Sequence, residues 1–512
     1  MSILADVYGH SLALLTDLYQ LTMAYGYWKS GMAGRRAVFH LSFRQNPFQG
    51  GFAVCCGLGT AIEFIERFRF ERSDLDYLGT LRGADDGPLF ERAFLDDLAR
   101  LEFACDVDAM AEGTVVFPRE PLVRVTGPLL QCQLLETPLL NIVNFQTLIA
   151  TKAARICMAA EGDRVIEFGL RRAQGIDGGI SASRAAYVGG CAGTSNVIAG
   201  QLFHIPVAGT HAHSWVMTFD DEYESFEAYA KAMPNNCTFL VDTYDTLDGV
   251  HNAVAIGRRL RAAGHELLGV RLDSGDLAAL SRQARSILDE AGFPKARIVA
   301  SNDLDERQIA SLKRRGARID VWGVGTKLVT AFDQAALGGV YKLGAVQDAD
   351  GAWVHRIKRS EQPIKVTLPG KLGVRRYADG NAYLGDVLYD GLTMNAEETG
   401  YQEPTGSASP GPLGGALLPD RSDPIPHSAT TTDMLVPVFR NGRAVYDRPA
   451  LGASRARTRD ELNRLPPGVR ALDDPRPYPV GLDSRLQELK SRLIAAHAKG
   501  GSCSSSASRP PS

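Results

Sequence analysis

The chain has 512 residues, too many for one ordinary hydrophobic core and the usual length of two or three domains. Hydrophobic residues make up 45% and charged residues 22%, globular proportions that exclude a disordered or collagen-like chain. The formal net charge is -3 and no Lys/Arg stripe is interleaved with aromatics, so nucleic acid is not an expected partner; a small ligand is, anionic ones included.

Eight cysteines (Cys55, Cys56, Cys105, Cys132, Cys157, Cys191, Cys237, Cys503) show neither a CxxC pair nor a disulfide-framework spacing and read as reduced, mostly buried thiols. The N-terminal stretch lacks a basic n-region, and no run reaches the roughly 18 apolar residues of a membrane span. A cytoplasmic location is expected, with no membrane partner.

Residues 13–28 (ALLTDLYQLTMAYGYW) place apolar groups at mixed three and four spacing behind two possible caps, Thr16 and Asp17, and predict a helix. From 36 to 56 the runs AVFHLSF and GFAVCCG, parted by the turn cluster NPFQGG, predict short strands. The stretch 113–135, broken by Pro and Gly, predicts more of them. Residues 1–138 are therefore expected to form an N-terminal α+β domain.

After a predicted helix over 139–160 the pattern becomes a repeated unit: an apolar strand, a polar or Gly-rich strand end, then an amphipathic helix. The clearest strands are TFLVDTYD, LLGVRLDSGD, RIVASND and IDVWGVGT. Short, continuously apolar strands are buried on both faces, so the sheet is expected to be parallel. An α/β fold follows, read as a βα barrel over 139–345, with a doubly wound sheet as the alternative. The barrel is favoured because carboxylates and glycines recur at strand C-terminal ends, where barrel enzymes assemble their sites. Residues 346–497 form a C-terminal strand and helix region: short strands, a Pro/Gly/Ser-rich mobile loop at 403–428, a hairpin in LVPVFRNGRAVY with an Asn-Gly turn, and a helix in SRLQELKSRLIAAHA. The tail 498–512 is expected to be disordered.

Chemistry concentrates at the strand ends. In GTHAHSW, His211 and His213 are two apart on an extended segment and could share a metal, but no third ligand stands at a recognisable spacing, so zinc is the weaker reading. His213 could instead be a nucleophile or general base. In RLDSGD, Asp273, Ser274 and Asp276 offer more capping capacity than one helix needs, and Arg271 on a buried strand calls for an anionic partner. Asp242 and Asp245 in VDTYD could orient a hydroxylated ligand or hydrated Mg²⁺. Gly323, Gly325 and Thr326 in GVGT stand where a barrel often binds phosphate. One Arg of EFGLRRAQG could clamp a carboxylate while the other serves a surface salt bridge. There is no Walker A run.

TDLYQLTM, FRQNPFQGGFAV, LLNIVNFQTLIATKAAR, EFGLRRAQG, GTSNVIAG, GTHAHSW, VDTYDT, GVRLDSGD and GVGTKL, in order from about residue 14 to 490, together resemble the nicotinate phosphoribosyltransferase family. The resemblance implies a type II phosphoribosyltransferase-like irregular barrel with the N-terminal domain and a C-terminal extension packing on it. It implies a homodimer of NAD salvage that joins nicotinate to 5-phosphoribosyl 1-diphosphate, coupled to ATP hydrolysis, with Mg²⁺ carried by the diphosphate rather than held in a protein cage. By position, His213 matches the histidine phosphorylated from ATP and acts with Asp273 in catalysis. Tyr19, supplied by a second copy, and Phe168 match rings that sandwich the pyridine, and Arg171, Ser195, Thr210 and Arg271 match other nicotinate-binding positions. Asp242, Ser274, Gly323, Gly325 and Thr326 match those that hold the phosphoribosyl diphosphate. Ser195 stands where the related nicotinamide-using enzyme has an Asp, which favours a carboxylate substrate. Ser214 follows His213 where many relatives carry Glu, leaving the partner of His213 open.

Two rivals remain at this stage: a nicotinamide phosphoribosyltransferase, which Ser195 argues against, and a degenerate non-enzymatic homologue, which the presence of His213, Arg271, Asp273 and Tyr19 argues against.

Overall fold

The structure is a computed structural model that describes residue 9 and residues 11–362, 365–394 and 428–500, the last four without side chains. All but Ser428 of the loop expected at 403–428, and the tail beyond 500, lie outside the described residues. The chain folds into two compact units: residues 1–145, 336–449 and 460–512 form one, and residues 146–335 with 450–459 the other.

The first unit is discontinuous because one sheet recruits strands from both ends of the chain. Its seven antiparallel strands run in the order Trp353–His355, Gly339–Gln347, Arg36–Phe43, Val123–Pro128, Asp106–Met110, Leu435–Arg440, Arg443–Ala444. The apolar run AVFHLSF supplies the central strand Arg36–Phe43, almost wholly buried. The hairpin Leu435–Arg440/Arg443–Ala444 turns through Asn441 (φ 48°) and Gly442 (φ 76°), the paired positive φ of a primed turn. A Cβ on Gly442 would lie 1.8 Å from the Phe103 carbonyl oxygen, so only glycine fits. A second sheet of four strands contains the pair Leu372–Asp379 and Ala382–Asp390.

The helix expected over 13–28 spans Leu18–Lys29. One strand expectation fails: PLLQCQLL is the helix Leu129–Leu134, with its apolar side chains Leu129, Leu130, Cys132 and Leu134 buried. A run this short has no resolvable period, and Pro128 suits a helix entry as well as a strand end.

In the second unit six parallel strands stand in the order Gly193–Thr194, Arg164–Glu167, Val321–Val324, Arg297–Ala300, Gly269–Leu272, Thr238–Leu240. The last strand in sequence pairs with the first, a cyclic order that a doubly wound sheet does not have. The barrel expected over 139–345 nevertheless does not close among the described residues. Val207 makes a single bridge to Thr194, and no ladder joins that edge to Thr238–Leu240. What spans the seam is a side chain: the Leu240 N–H donates to His211 Nε2 at 3.2 Å.

Ile166, Val299 and Val321 form a small buried cluster on which Phe168, Ala192 and Ala208 pack. Helices Thr246–Ala262, Leu277–Glu290 and Glu306–Arg314 follow their strands and turn apolar faces inward, with Val250, Ala253, Ala284 and Ile309 fully buried. The helix expected over 139–160 spans Glu136–Ala159 and carries Lys152 and Arg155, both buried against Glu306 at 2.7 and 3.0 Å. Burial alone would raise the Glu306 carboxyl, but the two cations hold it below the ordinary range. Removing Glu306 would take the shared anion from two buried cations, at a cost of about 3–5 kcal/mol.

The described cysteines are all free thiols, buried except for the half-buried Cys157. No helix among the described residues is long and apolar enough to cross a membrane.

Candidate functional site at the strand ends

Arg271 is the centre of the arrangement. It lies third in the strand Gly269–Leu272, half-buried, and its guanidinium reaches three neighbours: Nε donates to Ser301 Oγ (2.8 Å), Nη1 to Thr210 Oγ1 (3.1 Å) and Nη2 to Asp273 Oδ1 (3.0 Å). Its central carbon sits 5.6 Å from the Phe168 ring centroid. The guanidinium is thus held by two hydroxyls and partly neutralised by Asp273 from its own chain.

Phe168 extends the strand Arg164–Glu167, with its N–H on the Val324 carbonyl (2.8 Å). With Thr210, Ile166, Val299 and Val321 it lines a cavity of about 800 Å³. Gly323 lies within the buried strand Val321–Val324 against the Phe168 ring rather than at an open loop. Gly325 and Thr326 are at the strand end, but the helix they open, Thr326–Val329, is a single turn, so its dipole offers less to a phosphate than a full helix would. Lys327 is committed to Asp305 at 2.8 Å.

Asp273 and Asp242 are linked. The Asp273 N–H and the Ser274 hydroxyl donate to Asp242 Oδ2 at 3.0 and 2.5 Å, while Asp242 Oδ1 is buried without a partner. Gly275 has φ +75°, the left-handed conformation that lets the chain turn from Ser274 to the helix cap. Asp245 and Asp276 prove to be caps. Asp245 accepts from Leu247 and Asp248 N–H, and Asp276 from Ala278 and Ala279 N–H while pairing with Arg315. Asp245 uses Oδ1 for both backbone bonds, so a ligand role is left to its exposed Oδ2.

The two histidines part company. His211 is buried, bonded to Leu240 N–H, and burial pushes its pKa down to about 4, with the nearby Arg271 charge acting in the same direction. His213 opens the short helix His213–Val216, half-exposed, with Nδ1 3.1 Å from Thr243 Oγ1 and Nε2 3.7 Å from Asp273 Oδ2. His211 Nε2 is taken by the Leu240 N–H, and no group of three metal-ligating side chains exists among the described residues.

Thr243 fills the place that the exposed Ser214 left open. Ser301, buried between Arg271 and Asp273, was also missed; its only signal was the polar end of RIVASND. Arg171 and Arg172 form the turn after Phe168, exposed and without an ion pair among the described residues, so the surface salt bridge expected there is absent. Ser195, half-buried, is held by its N–H on the Glu167 carbonyl (2.9 Å).

In the other unit Tyr19 lies on the helix Leu18–Lys29, 49% exposed, its phenol raised by partial burial and the Glu136 charge. That unit also holds a pocket where Arg44, Arg119, Lys342 and Lys365 converge without an ion pair among the described residues. These cations are scattered along the sequence and meet only in the fold, and uncompensated positive charge of this kind suits a phosphate-bearing ligand.

Fold and site are those of an α/β enzyme with charged and polar side chains gathered at the carboxyl ends of a parallel sheet. Known proteins narrow this class. Residues 14–144 match the nicotinate phosphoribosyltransferase (NAPRTase) N-terminal domain, 164–358 the nicotinate phosphoribosyltransferase (NAPRTase) family and 419–490 the nicotinate phosphoribosyltransferase C-terminal domain. The nicotinate phosphoribosyltransferase of Bacillus subtilis (strain 168) is 43% identical over 492 residues, covering 94% of this chain and 97% of its own. The Homo sapiens enzyme of that name is 37% identical over 546 residues, with 95% and 97% covered. The crystal structure of human nicotinic acid phosphoribosyltransferase superposes with a TM-score of 0.77 at 34% identity, covering 93% of this chain and 99% of the other. The chain belongs to the nicotinate phosphoribosyltransferase family.

Proposed function

We propose that the chain transfers the 5-phosphoribosyl group of 5-phosphoribosyl 1-diphosphate to nicotinate, giving nicotinate mononucleotide and diphosphate in NAD salvage, with ATP hydrolysis coupled through His213. The observation that carries the reading is the guanidinium of Arg271 beside the Phe168 ring, with Thr210, Ser301 and Asp273 fixing its orientation. An aromatic carboxylate laid on Phe168 would stack on the ring and place its charge near Arg271. Arg171 and Ser195 stand on the neighbouring turns as further nicotinate contacts, and Tyr19, exposed on its helix, serves the site of a second copy in a homodimer.

Exchange at the ribose passes through a cationic ribosyl state, so the protein must orient the pyridine nitrogen and stabilise the departing diphosphate. Asp242, Ser274, Gly323, Gly325 and Thr326 are assigned to the phosphoribosyl diphosphate. Gly323 contributes by making room for Phe168. Asp242 and Asp273 suit a hydrated Mg²⁺, since Asp242 Oδ1 is buried and lacks a partner, although too few carboxylates converge for a cage of protein ligands. Mg²⁺ would neutralise the leaving diphosphate. With Nδ1 engaged by Thr243, Nε2 of His213 is the nitrogen left for a phosphoryl group, which would add negative charge beside Asp273. A cytoplasmic location belongs to the same reading. Nicotinate mononucleotide formation by the purified protein, measured with and without ATP and against nicotinamide, tests it. Absence of product, or preference for nicotinamide, overturns it.

A further inference from the structure

We propose that Glu167 is a positioning residue of the pyridine-binding wall, fixing Phe168 and the Thr194–Ser195 turn relative to one another. The inference rests on the reading that Phe168 and Ser195 face nicotinate. Glu167 ends the strand Arg164–Glu167, is fully buried, and has no ion pair to a cation among the described residues. Its carboxylate takes three donors instead: the Gly169 N–H, the Ser183 hydroxyl at 2.8 Å and the Thr194 hydroxyl at 2.5 Å.

These donors belong to the turn that carries Phe168, to the helix Gly175–Val188 and to the strand that leads into Ser195. Asn196 extends the web. Its N–H donates to Thr194 Oγ1 (3.0 Å), its Nδ2 to Ser183 Oγ (3.1 Å), and its Oδ1 caps the helix Val197–Phe203. The Glu167 main chain joins in, its carbonyl accepting the Ser195 N–H at 2.9 Å.

A carboxylate buried without a cation is a costly way to hold four segments together, so a purely structural post would be better served by a neutral group. What a carboxylate adds is that it only accepts. Both hydroxyls donate to it, which leaves their lone pairs for Asn196, and the Ser183 hydroxyl has the Gly179 carbonyl oxygen at 2.9 Å as a second acceptor. An amide at 167 has one acceptor oxygen for the Gly169 N–H and the Thr194 hydroxyl, which stand on opposite carboxylate oxygens, so one of these two bonds must be given up or reversed, whereas the Ser183 hydroxyl can turn to the Gly179 carbonyl. With the first of them Phe168, held by its own N–H on Val324 and by the next residue on Glu167, loses one of its two anchors.

The test compares Glu167→Gln and Phe168→Ala in steady-state kinetics at saturating ATP. Glu167→Gln is expected to raise the nicotinate KM about fivefold, with kcat and the KM for 5-phosphoribosyl 1-diphosphate changed by less than about twofold. If Phe168→Ala leaves the nicotinate KM unchanged, the underlying reading fails. If Phe168→Ala raises it and Glu167→Gln does not, or lowers kcat alone as a loss of folded enzyme would, the positioning role is overturned. Should Glu167→Gln fail to fold, Thr194→Val and Thr194→Ser decide. Valine, which removes one donor, is expected to raise the nicotinate KM and serine to restore it, and equal behaviour of the two overturns the proposal.

Discussion

The Phe168 ring occupies the space that a side chain at Gly323 would need: a Cβ there would lie 2.6 Å from Phe168 Cδ2 and 2.7 Å from Cε2. Gly323, read as part of a phosphate loop, is also the seat of an aromatic ring. Gly323→Ala must tilt or displace the ring, because the strand around it is buried and hydrogen-bonded on both sides. The expected result is a rise in the nicotinate KM of about threefold to tenfold, the size of a lost stacking contact, with the KM for 5-phosphoribosyl 1-diphosphate nearly unchanged. A rise confined to the phosphoribosyl substrate would return Gly323 to the phosphate site.

Arg271→Lys keeps the charge and loses the fork. A single ammonium cannot meet Ser301, Thr210 and Asp273 from one position, so at least two of the three bonds are lost and the charge shifts toward Asp273. With each such bond worth about 0.5–1.5 kcal/mol, and more where charge is involved, kcat/KM for nicotinate should fall by about 100-fold. Full activity in the lysine variant would mean that Arg271 acts as a simple charge.

His213→Ala should abolish the stimulation of nucleotide synthesis by ATP and leave thermal stability near that of the parent, since the ring is half-exposed and bonded only at its edge. Thr243→Val retains the histidine but frees Nδ1, so ATP stimulation is expected to fall partway, by about tenfold. Incorporation of labelled γ-phosphate into the protein reads this step directly. Undiminished labelling in His213→Ala removes the residue from the phosphoryl path.

The strand ends were legible because polar residues follow short apolar runs at repeated spacing, which is how Arg271, Asp273, Asp242 and His213 stood out. Spacing could not separate Asp245 and Asp276, which cap helices, from Asp242 and Asp273, which face one another, because a cap and a ligand use the same residue at the same place. Ser301 and Thr243 were passed over because hydroxyl residues at strand ends are common, and their roles exist only through partners on other strands. Glu167 left a clearer trace, an acidic residue inside the apolar run VIEFG, whose burial without a cation the sequence could not foretell. The unclosed seam was likewise beyond local pattern: it depends on how far Val207 lies from Thr238–Leu240, a long-range distance that no periodicity encodes.

Acid should loosen that seam. His211 has a folded pKa of about 4 against an ordinary value near 6.5, so between these values the unfolded chain binds the proton and the folded one does not. Stability therefore rises with pH across this window, and the contribution of the neutral ring is lost as pH falls from about 6.5 to 4, by roughly 3 kcal/mol if the whole shift is realised. His40, with a pKa of about 3 from burial and the Arg124 charge, acts in the same direction in the other unit. Urea unfolding of the parent and of His211→Gln between pH 4.5 and 7.5 checks this. The amide oxygen can still accept from Leu240 N–H but does not titrate, so the variant should show a shallower dependence of stability on pH, and an unchanged slope would clear His211.

Ser195→Asp tests the choice of substrate. Ser195 is held close to the Phe168 wall through Glu167 and is only half-buried, so a slightly larger side chain can reach toward solvent. A second carboxylate there would lie near that of nicotinate; two like charges at about 4 Å repel by about 4 kcal/mol at an effective dielectric of 20, part of which Arg271 and solvent screen. The expected outcome is a loss of about 100-fold in kcat/KM for nicotinate, with a much smaller loss for nicotinamide, whose amide N–H can donate to the new acceptor. The ratio of the two substrates is the informative quantity, because damage to folding or to the phosphoribosyl site lowers both equally. An unchanged ratio would show that the residue at 195 does not face the carboxylate, and would move substrate selection to Arg171 and Arg271 alone.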